Sequence, residues 1–209
     1  MKINKVSKVL GKIRVPSDKS ITHRAIMLSC LSQGTSYIND YLDSDDCMMT
    51  LNSFEVMGVK ILRSSRRIII TGAGLYGLKS PSQKIYAGNS GTTTRLLSGI
   101  LSGQNFTSII TGDDSLSKRP MKRIIEPLKL MNADIKARQD NFLPLEIYGK
   151  GNLKAADYIS NVASAQVKSC VLFAGLYADG ITSVTEPEKS RDHSERMMKA
   201  YGADKTVDG

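Results

Sequence analysis

The sequence predicts an α+β fold, one globular domain of three repeats packed around buried inner helices. Three observations carry this. Three segments of the 209-residue chain share one plan. Each opens with small polar residues, continues as a helix that is apolar or small nearly all round, and then runs through a Gly turn, a strand, a polar loop, an amphipathic helix and a closing strand. The inner helices have no polar face, so they must be buried. Apolar residues make up 41% of the chain, which suits a folded core and excludes disorder.

In the first copy the polar opening is Ser17-Asp18-Lys19-Ser20, and the apolar helix runs from about Ala25 to Leu31, ending before Gly34. Thr35 to Asn39 is a strand. Ser44-Asp45-Asp46 starts an amphipathic helix with Cys47, Leu51 and Phe54 on one face, stopped by Gly58 before a strand over Val59 to Leu62. In the second copy the opening is Asn89-Ser90-Gly91-Thr92, and the apolar helix carries Leu96, Leu97, Ile100 and Leu101. Phe106 to Thr111 is a strand. Met121 to Met131 reads as a helix strained or kinked at Pro127, and Ala133 to Ala137 as the strand after it. In the third copy Ser164-Ala165-Gln166 precedes a helix holding Cys170, Val171, Leu172, Phe173, Ala174 and Leu176. Gly180 turns into a strand over Ile181 to Val184, and Ser194 to Tyr201 is a helix ended by Gly202.

A buried helix end leaves N–H groups without water, and those groups together with the helix dipole attract anions. If the quasi-symmetry brings the three polar openings together, they form one anion site. Lys19, Ser20 and Arg24 put an ammonium, a hydroxyl and a guanidinium at one helix end, with Ser20 and Arg24 on one face. An ordinary Ser cap with solvated charges would look the same. Asn89-Ser90-Gly91-Thr92-Thr93-Thr94-Arg95 resembles a phosphate-cradling turn but equally a polar cap, and it is no Walker loop. Lys118-Arg119 before Pro120 is either a cation pair aimed at a ligand or surface charge at a proline-started helix.

The formal charge of +9 suggests an anionic partner, or no more than a solvated basic surface. With no Trp, 6% aromatics and no long basic run, small phosphorylated or carboxylated substrates fit and nucleic acid does not. No apolar run is long enough to span a membrane, and the first residues lack a signal-peptide core. Cys30, Cys47 and Cys170 stand among apolar residues and read as reduced core thiols of a cytoplasmic protein. Asp43-Ser44-Asp45-Asp46 reads as a cap with dipole partners, and no His or Cys is spaced to complete a metal site. Gly72-Ala73-Gly74-Leu75-Tyr76-Gly77 matches a dinucleotide-binding pattern, but Ser80-Pro81 breaks any following helix, so it is a turn.

Taken in order, Lys19-Ser20 with Arg24, Leu42-Asp43-Ser44-Asp45-Asp46, Asn89-Ser90-Gly91-Thr92, Lys118-Arg119-Pro120-Met121, Ser164-Ala165-Gln166 and Ser190-Arg191-Asp192-His193 resemble 5-enolpyruvylshikimate-3-phosphate synthases over essentially the whole chain. The last two motifs look like the family branch noted for glyphosate tolerance. The resemblance implies two globular domains, each of three βαβαββ units. It implies transfer of enolpyruvyl from phosphoenolpyruvate to the 5-hydroxyl of shikimate 3-phosphate, in the shikimate pathway of aromatic amino-acid biosynthesis, with no cofactor and no metal. By the same resemblance Lys19 is catalytic and touches both substrates. Ser20, Arg24, Ser164, Ala165, Gln166 and Arg191 hold shikimate 3-phosphate. Asn89, Gly91, Thr92, Arg119 and Gln166 line the phosphoenolpyruvate side.

Family members have a second, similar half that supplies further acids and cations. Residues 1–15 are therefore expected to be a strand segment, with Val6 to Val15 extended, belonging to the second domain. Residues 16–209 form the substrate-binding domain, with repeats at about 16–72, 84–148 and 152–209, the last incomplete. The chain alone is expected to bind shikimate 3-phosphate without turnover, its partners being the second half or a swapped second copy. The runner-up readings are a UDP-N-acetylglucosamine enolpyruvyl transferase, which this loop without Cys and the Ser after Lys19 disfavour, and a non-catalytic anion-binding module.

Overall fold

The computed structural model describes residues 4–203. Helix α1 (Lys19–Leu31) leads to strand β1 (Thr35–Asn39), helix α2 (Asp45–Glu55) and the hairpin β2 (Lys60–Arg63) and β3 (Arg67–Thr71). The second copy is β4 (Ile85–Tyr86), α3 (Gly91–Ser102), β5 (Thr107–Thr111), α4 (Lys122–Leu130), β6 (Asp134–Arg138) and β7 (Phe142–Tyr148). The third is β8 (Asp157–Ile159), α5 (Ala165–Gly175), β9 (Ser183–Thr185) and α6 (His193–Ala200).

The sheets repeat the plan. β1-β3-β2 and β5-β7-β6 are the same antiparallel arrangement, and β4 joins β5 in parallel as β8 joins β9. Copy two is thus a complete βαβαββ unit. Strand burial alternates, with Ile68 and Ile70 on β3 and Leu143, Leu145 and Ile147 on β7 facing the helices. α1, α3 and α5 lie inside. Leu96, Leu97, Ile100 and Leu101 of α3 are fully buried, as are Cys170, Val171 and Phe173 of α5. The helices also bury hydroxyls. Thr94, Ser98 and Ser102 each donate to the carbonyl four residues back, at 2.8–3.0 Å, and so enter the core with their bonds made. α3 and α5 touch at Gly99, where an added Cβ would lie 2.2 Å from the Cys170 carbonyl oxygen.

Residues 4–15 form no strand with the rest of the described residues, and Val6, Val9, Leu10, Ile13 and Val15 are exposed; the sheet expected to receive this segment belongs to a second domain. Other expectations need correction. α1 starts at Lys19 rather than near Ala25, so the polar motif is its first turn. Its cap is Asp18, which excludes the alternative of an ordinary Ser20 cap. α4 starts at Lys122 after a short 3-10 turn at Leu116–Lys118, which leaves Pro120 ahead of the helix. It runs on through Pro127, whose carbonyl accepts the Met131 N–H at 3.1 Å. The closing strand of the third copy concerns residues beyond 203 and lies outside the described residues. Gly72–Gly77 is a turn with no helix after it, as expected. Cys30, Cys47 and Cys170 are buried free thiols.

Candidate functional site

The three inner helices begin the same way. Asp18, Ser90 and Ser164 cap α1, α3 and α5, and their side chains accept the N–H of Ile21, Thr93 and Val167. Counted from the caps, the second helical residues are Ser20, Thr92 and Gln166. The fold brings these openings together. Gln166 Nε2 donates to Thr92 Oγ1 at 3.0 Å, and Arg95 Nη1 donates to Gln166 Oε1 at 3.0 Å, joining α3 to α5. Arg24 joins α1 to α5 and α6. Its Nη2 donates to Ser169 Oγ at 2.7 Å and its Nε to Ser194 Oγ at 2.6 Å, while Nη1 returns to the Ser20 carbonyl at 3.1 Å. A chain of hydroxyls joins α1 to α3: His23 Nδ1 is 2.6 Å from Thr50 Oγ1, which is 2.7 Å from Thr93 Oγ1, which donates to the Ser90 hydroxyl at 2.7 Å.

Around this junction stand the residues singled out from the sequence. Lys19 Nζ pairs with Asp46 Oδ2 at 2.9 Å and is half exposed, so the acidic loop that read as a cap also holds the lysine. Ser44 makes no side-chain cap bond. Arg191 Nη1 donates to Ser20 Oγ at 3.4 Å, bringing the Ser190-Arg191 loop to the start of α1. Arg119 binds the side chain and carbonyl of Asn89, and Asn89 Nδ2 donates to Asp113 Oδ2 at 2.8 Å. The Leu116 N–H and the Asn89 amide hold the Asp113 carboxyl below its usual range. Gly91 is the first residue of α3 and leaves space that a Cβ would take from Arg95, whose Nη1 would lie 2.7 Å from it, with Arg119 Nη1 at 3.6 Å. Two guanidiniums therefore meet at a glycine on a helix N-terminus.

The electrostatics are one-sided. Arg24 is 3% exposed, and burial lowers its pKa to about 10, with the Glu195 charge opposing and Arg191 adding to the fall. Burial first, then the charges of Arg119 and Arg123, lower that of Arg95. Among the described residues none of Arg24, Arg95, Arg119 and Arg191 forms a salt bridge, and their partners are hydroxyls, amides and carbonyls. Cations whose direct partners are neutral, beside three helix N-termini, favour an anion, although Glu195 and Asp18 act on Arg24 at longer range. Such an arrangement can bind a doubly charged oxyanion, or two anions at once. The surface hollows bounded by Lys129, Asp134 and Lys150 and by Arg14, Asp40 and Arg66 contain none of these residues.

Arg95 closes the phosphate-cradling motif but is given no role by the sequence reading, although it follows Gly91 by one turn as Arg24 follows Ser20. Sequence reading missed Ser169, one turn after Ala165 on α5, and Ser194 and Glu186, which carry no local mark. Among the described residues no cluster of three or more His, Cys, Asp or Glu could hold a metal ion, and no helix is long and apolar enough to cross a membrane.

A model of the family described as EPSP synthase (3-phosphoshikimate 1-carboxyvinyltransferase) matches residues 3–209. The chain is 57% identical over 211 residues to a protein of Endomicrobium trichonymphae named 3-phosphoshikimate 1-carboxyvinyltransferase, covering 100% of this chain and 49% of that protein. It is 51% identical over 203 residues to the protein of that name from Bacillus subtilis, covering 97% of this chain and 47% of the relative. An EPSP synthase structure from Acinetobacter baumannii superposes with a TM-score of 0.93 at 49% identity, over 95% of this chain and 45% of that one. The chain spans about half the length of the curated relatives it matches.

Proposed function

The chain belongs to the EPSP synthase family, and from that premise we propose that it forms the half of an enolpyruvyl transferase site that grips the phosphorylated substrates. The reaction is transfer of enolpyruvyl from phosphoenolpyruvate to the 5-hydroxyl of shikimate 3-phosphate, with release of phosphate. The observation that carries the reading is the cluster of guanidiniums without carboxylate partners at three converging helix N-termini. Ser20, Arg24, Ser164, Ala165, Gln166 and Arg191 hold shikimate 3-phosphate. Asn89, Gly91, Thr92 and Arg119 hold phosphoenolpyruvate, and Gln166 bridges the two sets through Thr92. Lys19 reaches both from the rim and is the catalytic residue on this side, released from Asp46 when substrate arrives. Bringing two anions together requires fixed positive charge, and cations already in place spend no reorganisation energy at the moment of reaction.

The remaining groups come from a second half, which docks where residues 4–15 expose their apolar side chains. A second copy exchanging that segment would use the same surface. Calorimetric titration with shikimate 3-phosphate at low and high salt tests the reading. Weak binding that falls with salt is expected, with phosphate release only when the second half is added. Robust phosphate release by this chain alone would overturn the half-site, and binding indifferent to Lys19→Met and Arg191→Ala together would overturn the assignment of the pocket.

A further inference from the structure

Behind the site lies a charge cluster that, among the described residues, makes no salt bridge to Arg24, Arg95, Arg119 or Arg191. Lys168 Nζ on α5 is 2.7 Å from Glu186 Oε2 and 2.7 Å from Glu195 Oε1, with side chains 10%, 7% and 12% exposed. Glu186 follows directly on β9. Its Oε1 accepts the Ser164 N–H at 2.8 Å, and its Oε2 accepts the Ser190 hydroxyl at 2.7 Å as well as Lys168. Ser164 is the cap that opens Ser164-Ala165-Gln166, and Ser190 precedes Arg191. One carboxylate thus ties together the two segments that approach the site from the third repeat.

Stability alone explains this cluster poorly. Two carboxylates and one ammonium taken out of water leave a net negative charge, and Glu195 Oε2 has no hydrogen-bond partner among the described residues. Apolar side chains of similar volume would stabilise α5 and α6 at least as well. Glu186 stays ionised all the same. Burial opposes this, but the Lys168 ammonium, the Ser190 hydroxyl and the Ser164 N–H together hold its carboxyl below the usual range. A charged carboxylate with three fixed donors is a rigid connector, because moving either segment breaks a charge-assisted bond.

We propose that Glu186 is a positioning residue for the phosphorylated ring substrate, fixing the start of α5 and the Ser190-Arg191 loop at one separation, with Lys168 holding its carboxylate in place. This rests on the assignment of both segments to shikimate 3-phosphate. Gln166 and Arg191 then face the substrate from a frame set before it arrives, which lowers the ordering cost of binding.

The test uses the whole chain with Glu186→Ala, Glu186→Gln and, as a control for general loosening of β9, Val184→Ala. Val184 packs on the core from β9, opposite Tyr158 on β8, and hydrogen-bonds to neither segment through its side chain. Calorimetry with shikimate 3-phosphate and amide hydrogen exchange without ligand are read together. Glu186→Ala should weaken binding about tenfold or more, the scale of a lost hydrogen bond to a charged group. It should speed exchange at residues 164–166 and 190–191 together. Glu186→Gln keeps the acceptor for Ser164 and should recover part of both effects, and it carries the test if the Ala variant does not fold. Val184→Ala should lower Tm without changing affinity. Affinity that follows Tm in all three variants, or exchange that rises at one segment and not the other, would overturn the proposal. If the unsubstituted chain binds no shikimate 3-phosphate, the substrate assignment fails. The paired exchange response still decides whether Glu186 joins the two segments.

Discussion

Acidification should destabilise this fold through His23. The ring is fully buried, Nδ1 is bonded to Thr50, and Nε2 has no partner among the described residues. Burial lowers its pKa from 6.5 to about 4, with Asp46 opposing and Lys19 and Arg24 adding to the fall. Between these two values the unfolded chain carries a proton that the native state excludes. Stability therefore falls as pH drops through that window and levels off below about 4. At about 1.36 kcal/mol per unit the full loss is ~3 kcal/mol, of which ~2 kcal/mol is gone by about pH 5. Urea unfolding followed by circular dichroism between about pH 7 and pH 4.5 measures it. His23→Asn keeps a polar partner for Thr50 and cannot titrate. Its stability at neutral pH should drop, but its loss on acidification should be smaller than that of the parent by about 2 kcal/mol. Carboxylates such as Glu186 titrate in both proteins and cancel in the difference. Parallel pH profiles for the two proteins would show that His23 is not held neutral by burial, and the reasoning would fail.

Gly99→Ala should cost at least about 2 kcal/mol, because its Cβ would meet the Cys170 carbonyl and the α3 and α5 backbones must part. Ser98→Ala, one residue away, removes only a bond back to Thr94 and should cost about 1 kcal/mol or less in the same denaturant titration. Ser164→Ala should cost about 1 kcal/mol by loss of the α5 cap, and Ser164→Asn should restore most of it. Arg24→Met should leave the melting temperature unchanged or raised, since Ser169 and Ser194 stay bonded to each other at 2.6 Å, while abolishing measurable anion binding. A large fall in melting temperature would show that the buried guanidinium is structural.

The repeat was legible because each copy has the same physical problem, an apolar helix whose buried end needs a cap, and solves it with the same residue types. Ser90 and Ser164 stand at those ends as their sequence context indicates. The first cap stayed open because Asp18 and Ser20 are both good caps two residues apart, and only the helix start decides between them. β4 and β8 escaped notice because two or three residues show no alternation. β7 escaped because Pro144 reads as a breaker, although here it lies within a strand. The meeting of the helix ends could be posed from the repeat but not established from it. It depends on the close passage of α3 and α5 at Gly99 and on bonds such as Gln166 to Thr92, which join residues 74 apart in sequence.

Two buried cations stand within two turns of the helix starts and are treated in opposite ways. Lys168 is given two carboxylates, which outweigh burial and raise its pKa. Arg24 is given two serine hydroxyls and a carbonyl. A guanidinium has five N–H donors, and three bonds leave two of them unused. Exchanging the partners would neutralise Arg24 and leave Lys168 exposed to its own desolvation cost. The existing arrangement keeps the lysine as part of the frame and leaves the arginine with positive charge and spare donors beside Ser20 and Arg191. At 3% exposure and with no salt bridge among the described residues, Arg24 recovers its desolvation cost only in part, from the Glu195 and Asp18 charges. The rest is recovered when an anion arrives as a direct partner. Anion binding should therefore raise the pKa of Arg24 and stabilise the chain in proportion to ligand concentration, and Arg24→Met should remove that stabilisation while keeping the fold.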